Sequence, residues 1–118
     1  MGLLLTFNLQ AQTVTIHVET AGTLPTLIAE GTKYQITDLT LTGDLNGTDI
    51  RYINEMTGHA ANEGAATNGK LAILDLSGAN IVSGGYPYSS YPEIYTVDNT
   101  IGKWMFSGNT LTSCYYPK

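Results

Sequence analysis

The residues whose types and spacing most resemble a metal-binding site lie between positions 44 and 55. Asp44, Asn46 and Thr48 stand at the first, third and fifth places of a calcium-binding loop, and Glu55 stands at the twelfth. Oxygen ligands at this spacing are the kind that Ca²⁺ requires. The sixth place, where the sharp turn of such a loop requires glycine, is Asp49. We therefore rank a calcium-binding domain as the least favoured hypothesis.

Catalytic and zinc-binding motifs are missing from the sequence. His17 and His59 each lack a second His, Cys or carboxylate at ligand spacing, so we predict that both are surface residues. There is no nucleophile elbow, no zinc-binding His-Glu motif and no phosphate-binding glycine loop. The glutamates form no recognisable pair for glycoside hydrolysis. We predict a non-enzymatic protein without catalytic residues, metal or cofactor, and rank a small hydrolytic domain beside the calcium hypothesis.

The segment Ser83–Tyr95 carries four tyrosines and two prolines, a composition that favours neither a helix nor a central strand. It predicts a long loop that is dispensable for folding. Tyrosine combines an apolar ring with a polar tip, which suits protein-binding surfaces and also stacks on sugars. The alternative is that individual rings cover the core. The candidate binding residues of this loop are Tyr86, Tyr88, Tyr91 and Tyr95.

Three segments share one pattern of three apolar residues. Two residues of any type separate the first apolar residue from the second, and one residue separates the second from the third. The segments are Ile36–Thr42, Leu71–Ser77 and Leu111–Pro117. The pattern predicts strands with the flanking apolar side chains inward and the middle residue outward. One such unit cannot bury its apolar face alone, whereas stacked units can. The chain is therefore expected to form a solenoid with parallel strands.

The outward middle residues of these strands define a second candidate surface. Thr40, Asp75 and Tyr115 are expected to align across the sheet, and exposed strand faces of solenoids commonly bind partners. Cys114 takes the inward place that Leu39 and Leu74 take in the other segments, so we expect it to be buried. The last strand is expected to be an unprotected edge that supports self-association.

The remaining elements follow from periodicity and capping signals. Alternation over Thr13–Glu19 predicts a half-buried strand. A short helix is predicted from Thr23 as its cap to Gly31 as its end. A second helix is predicted to begin at Thr48 and end at Gly58, with Ile50, Ile53 and Met56 inward. A third is predicted over Ile101–Phe106, ending at Gly108.

Composition limits the partners and the compartment. The 118 residues carry a net charge of −5 with five scattered cations, Lys33, Arg51, Lys70, Lys103 and Lys118. Because phosphate recognition needs clustered cations, nucleic acid and anionic membranes are not expected partners. The single cysteine excludes an internal disulfide. Residues 1–11 form an apolar run ending in the small residue Ala11, which is typical of a truncated signal peptide and predicts secretion; an apolar first strand is the alternative.

The carboxy-terminal segment, residues 101–117, carries a recognisable motif formed by Ile101, Gly102, Phe106, Gly108, Leu111, Thr112, Ser113 and Pro117. With these residues the segment resembles the BspA-like leucine-rich repeat of bacterial surface proteins, whereas Met105, Cys114 and Tyr116 depart from that repeat. Segments Thr20–Leu24, Leu45–Ile50 and Leu74–Ser77 look like the amino-terminal cap that precedes such arrays in Bacteroides-type gut bacteria. The resemblance implies a secreted or cell-surface protein that takes part in adhesion and protein contacts, and it supplies no catalytic residues.

Together these observations predict an α/β fold, a short leucine-rich-repeat solenoid with parallel strands and an amino-terminal strand and helix cap. Residues 12–118 are expected to form one such domain. The predicted function is adhesion-type binding of a protein or glycan at a bacterial cell surface, with neither nucleic acid nor membrane insertion. The alternative is a purely structural cap of a longer repeat array.

Overall fold

The computed structural model describes residues 12–59, 66–90, 92–103, 105–106 and 110–117. The elements along the chain are β1 (Thr13–Val18), α1 (Leu24–Leu27), α2 (Glu30–Lys33), β2 (Asp38–Leu45), α3 (Gly47–Met56), β3 (Ile73–Ile81), β4 (Ser89–Ser90), β5 (Glu93–Ile94) and β6 (Ser113–Tyr115). Strands β1, β2, β3 and β6 form one parallel sheet in that order, and β4 and β5 form a small antiparallel hairpin. The predicted α/β class with parallel strands is confirmed.

The core lies between the inward face of the sheet and α3. Alternation along β2 and β3 sends every second side chain inward, and the three-residue spacing on α3 sends its apolar face toward them. These inward side chains are fully buried: Leu39, Leu41, Leu74, Leu76, Ile50, Ile53 and Met56. Full burial of one such side chain contributes about 1.5–3 kcal/mol, so this layer holds the sheet and helix together.

The register matches the alignment of the three sequence segments. Leu39 lies beside Leu74, and Leu74 lies beside Cys114. Cys114 is half-buried, so the prediction that it is buried is only partly met. The reason is its position on an edge strand, which has a neighbour on one side only within the described sheet.

The first predicted helix is interrupted. Ile28 leaves the helical conformation, and its carbonyl accepts a hydrogen bond of 2.6 Å from the Tyr52 hydroxyl. The chain then turns again as α2, which contains Gly31. The expectation that Gly31 ends one continuous helix is therefore wrong. The Ile28 carbonyl binds the Tyr52 hydroxyl of α3, and Ile28 itself has an extended backbone conformation.

The second predicted helix is present as α3, but it begins earlier than expected. Asn46, not Thr48, is its cap: the Asn46 side chain accepts from the Thr48 N–H, and the Asp49 carboxylate accepts from the Asn46 N–H at 2.9 Å. This reciprocal arrangement is a capping box. Gly58, with a φ of 94°, lies just after the helix and takes the left-handed conformation that commonly ends helices.

The third predicted helix is not seen in residues 101–103, 105 and 106, which form irregular backbone and turns. Met105 donates its N–H to the Gly102 carbonyl at 3.3 Å, which is a turn contact, and the Lys103 carbonyl accepts from the Tyr88 hydroxyl. The Tyr88 hydroxyl lies only 2.4 Å from where a Cβ on Gly102 would stand. The spacing of Ile101 and Met105 therefore reflects one buried methionine in a turn, not a helix face.

Candidate functional site

The predicted outward row exists on the sheet. Thr40 lies beside Asp75, Asp75 lies beside Tyr115, and Thr15 of β1 extends the row beyond Thr40. Tyr115 is 55% exposed, and Thr40 and Asp75 are half-buried. Because parallel strands stand about 4.8 Å apart, these four side chains form a continuous line of hydroxyl, carboxylate and aromatic groups. We name the line Thr15–Thr40–Asp75–Tyr115 the outward row.

Asp75 also shapes the sheet. Its Oδ1 accepts hydrogen bonds from the Ser77 N–H at 2.9 Å and the Ser77 hydroxyl at 2.7 Å. At this point β3 carries one residue more than β2, so Gly78 lies beside Thr42 and the register is shifted. Such an extra residue is a β-bulge, which bends a strand and re-aims its side chains. The Asp75 carboxylate is thereby held at the sheet surface instead of rotating freely.

The face of the sheet that holds the outward row carries carboxylate and hydroxyl groups. Asp38 and Asp44 stand on the same side of β2 as Thr40, and Asp75 continues the carboxylates onto β3. The outward positions of the four strands include no Lys or Arg. His17 contributes a ring nitrogen that lies 2.8 Å from the Thr42 hydroxyl. The face is therefore suited to neutral or cationic partners and unsuited to phosphates.

The segment Ser83–Tyr95, which we call the tyrosine loop, does not form one surface. Tyr88 is 2% exposed and donates its hydroxyl to the Lys103 carbonyl at 2.8 Å, so it is a core residue. Burial raises the pKa of the Tyr88 hydroxyl above its ordinary value. Tyr86 and Tyr95 are 67% and 51% exposed. Tyr91 lies outside the described residues. The expectation that Tyr88 is exposed for binding is wrong, because its ring fills space against Gly102. Its burial argues against the prediction that the loop is dispensable for folding, which unfolding experiments can test.

Tyr86 faces the helical side of the molecule. Its ring centroid lies 5.9 Å from the Arg51 guanidinium of α3, and its N–H donates to the Thr48 hydroxyl at 3.0 Å. The Gly47 N–H at the start of α3 donates to the Gly84 carbonyl at 3.1 Å, which fixes the loop there. Because α3 packs on the inward face of the sheet, Tyr86 and the outward row lie on opposite sides. The two predicted surfaces are not brought together.

The residues that stand at the spacing of a calcium-binding loop bind other groups of the protein. The Asn46 Oδ1 accepts from the Thr48 N–H in the helix cap, and Glu55 pairs with the Lys33 ammonium. Asp49 accepts N–H groups from Gly22 at 2.6 Å and from Leu24 at 2.9 Å, in addition to the N–H of Asn46. Within the ranges that the structure describes, no three His, Cys, Asp or Glu side chains come together as a metal site.

Lys33 is a buried charge that the sequence did not single out. Its side chain is 2% exposed and pairs with Glu55 and with Glu30, and its ammonium lies 4.5 Å from the Tyr52 ring centroid. Burial alone lowers the pKa of Lys33, but the hydrogen bonds to Glu55 and Glu30 outweigh it and raise the pKa well above its ordinary value. The cluster ties α2 to α3 and is structural, since the raised pKa keeps the ammonium protonated at neutral pH.

A cleft at the carboxyl end of β3 was also missed by sequence reasoning. It is lined by Asn80, Ile81, Asn99, Thr100, Ile101 and Pro117. Ile101 and Pro117 belonged to patterns recognised in the sequence, and the other four lining residues did not. The one available signal was the Asp98-Asn99 pair, since Asn and Asp favour turns. The lining comes from three separate segments, so its assembly depends on the tertiary structure.

No protein-family model matches the chain, and no curated protein sequence matches it. None of the helices in the described ranges is both long and apolar enough to cross a lipid bilayer.

Proposed function

We propose that the chain is a non-enzymatic binding module of a secreted or cell-surface bacterial protein, and that it holds a protein or glycan partner on the outward row. The observation that carries the proposal is the alignment of Thr15, Thr40, Asp75 and Tyr115 across four parallel strands. An exposed ring beside fixed polar groups supports recognition by shape and hydrogen bonding, with no covalent step.

We propose further that the sheet belongs to a leucine-rich-repeat solenoid of the BspA-like kind. The residue-for-residue register of Leu39, Leu74 and Cys114 supports this architecture. A second candidate function, a purely structural cap of a longer array, is favoured by the half-buried state of Cys114 on an edge strand. A following repeat stacked on β6 would cover that side chain.

The experiment is a binding screen of the purified chain against immobilised cell-surface glycans and proteins, with two single variants. Tyr115→Ser removes the exposed ring of the outward row, and Tyr95→Ser removes a ring of similar exposure, 51% against 55%, outside the row. We expect Tyr115→Ser to weaken any specific binding at least tenfold and Tyr95→Ser to leave it unchanged. Equal effects of both, or no specific binding at all, would leave the structural cap as the better explanation.

A further inference from the structure

The cleft at the end of β3 is separate from the outward row and is built by the turn that follows the tyrosine loop. β6 pairs only with Ile73–Asp75, so beyond Asp75 β3 has no further strand on that side among the described residues. Residues 99–101 lie there instead, and the Asn99 N–H donates to the Ile81 carbonyl at 2.8 Å. This contact anchors the turn to the sheet and leaves a cleft between them.

The polar groups of the cleft keep unused hydrogen-bonding capacity. The Asn80 Nδ2 donates to the Asp44 Oδ1 at 3.3 Å, so its own Oδ1 is left as an acceptor. The Thr100 hydroxyl donates to the Asp98 carbonyl at 3.0 Å and can still accept. The Asn99 side chain makes no hydrogen bond to any described residue, which leaves both a donor and an acceptor.

The backbone at Asn99 is strained. Its φ of 56° lies in the left-handed region, and it is the only described residue other than glycine with a positive φ. Asparagine tolerates this region better than most residues, yet glycine would adopt it at lower cost. The chain thus keeps a carboxamide where a glycine would be easier to accommodate. Strained residues of this kind concentrate at ligand sites.

The charge and the apolar surface of the cleft limit the class of ligand that it can bind. All six lining residues are uncharged, and the ionised group bonded directly to the wall, Asp44, is negative. An anionic ligand is therefore disfavoured. Ile101 is 41% exposed, and Pro117 adds apolar surface to the lining. Uncharged amides and a hydroxyl beside small apolar surfaces match the hydroxyls and C–H face of a sugar ring.

We infer that this cleft binds one unit of a neutral saccharide, with hydroxyls bound by Asn80, Asn99 and Thr100 and the ring face packed on Ile101 and Pro117. The inference rests on the cleft alone and does not require the outward row to bind anything. The two sites lie on separate residues, so each can fail independently.

The test is an NMR titration of the ¹⁵N-labelled chain with maltotriose, mannotriose and triacetylchitotriose, and with trigalacturonate as the anionic counterpart. We expect at least one neutral trisaccharide to shift the side-chain amide signals of Asn80 and Asn99 and the backbone amide of Ile101, with a Kd of about 1 mM or lower. Trigalacturonate should bind at least tenfold more weakly. An absence of shifts for all three neutral sugars at about 20 mM overturns the inference.

The deciding variant is Asn99→Gly, which removes the carboxamide while allowing the same φ. We expect at least a tenfold loss of affinity with an unchanged or raised melting temperature. Asn80→Ala, at an exposed position, gives an independent second variant. Tyr115→Ser is the control and should bind the sugar normally. Loss of sugar binding in Tyr115→Ser but not in Asn99→Gly moves the site to the outward row and overturns the inference.

Discussion

Tyr86 and Tyr88 are two residues apart and have opposite exposure, 67% against 2%. We expect Tyr88→Ser to lower the free energy of unfolding by about 3 kcal/mol or more, because it empties a packed site and removes the hydrogen bond that the Tyr88 hydroxyl donates to the Lys103 carbonyl. The matched change Tyr86→Ser should cost less than about 1 kcal/mol, since it removes one exposed cation–π contact with Arg51. Urea unfolding of both variants measures the difference. Equal losses would contradict the assignment of Tyr88 to the core.

Cys114 is expected to react slowly with thiol reagents. Burial raises the pKa of the Cys114 thiol, the negative charge of Asp75 raises it further, and a hydrogen bond with Tyr116 opposes both. Because the thiolate is the reactive form, labelling below about pH 9 should be at least tenfold slower in the native chain than in denaturant. Asp75→Asn should lower the pKa of Cys114 and speed labelling. Rapid stoichiometric labelling of the native protein would count against the inward placement of this residue.

At the scale of elements, the start of α3 depends on one carboxylate. Asp49 is fully buried and accepts the N–H groups of Gly22, Leu24 and Asn46, so it joins the β1–α1 connection to the helix cap. We expect Asp49→Ala to cost about 3 kcal/mol or more, because it removes a cap and leaves buried donors unpaired. Glu19→Ala, an exposed carboxylate, serves as the control with a change under about 0.5 kcal/mol. Chemical denaturation distinguishes the two, and similar small effects would refute the linking role.

The Lys33 cluster links α2 to α3 and makes stability depend on alkaline pH. Because the pKa of Lys33 is raised by folding, its contribution is complete below about pH 10 and is lost as pH rises through the folded value. We expect Lys33→Met to cost about 2 kcal/mol at neutral pH, since Glu55 remains partly buried without its partner. The difference from wild type should shrink above about pH 10. Lys70→Met, at an exposed position, should show no such pH dependence.

For the whole molecule, the sheet ends at β6 within the described residues, and Tyr115 and Tyr116 add exposed rings beside that end. An open strand edge presents unpaired backbone groups and supports pairing with a second chain. We therefore expect concentration-dependent association in sedimentation experiments, or faster amide hydrogen exchange in residues 113–115 than in residues 73–75. A strict monomer at millimolar concentration with equal protection of both strands would show that another part of the chain covers the edge.

The sequence by itself determined the α/β class, the parallel strands, the register of the three repeated segments and the Thr40–Asp75–Tyr115 part of the outward row. These features depend on a two-residue alternation within short segments such as Ile36–Thr42, and a one-residue slip would expose the leucines, so the pattern leaves little choice. The buried face of α3 followed for the same reason, since Ile50, Ile53 and Met56 repeat with the helix. Local pattern and burial agree in all of these elements.

Only the tertiary structure decided the burial of Tyr88, the interruption of the first helix and the cleft at Asn99. Each depends on a partner distant in the chain: Tyr88 on the Lys103 carbonyl, and Ile28 on the Tyr52 hydroxyl. Local sequence favours turns in these segments without stating which groups they contact. The two proposed binding surfaces differ in the same way. The outward row follows from the repeated strand pattern, whereas the cleft is assembled from separate segments by long-range packing.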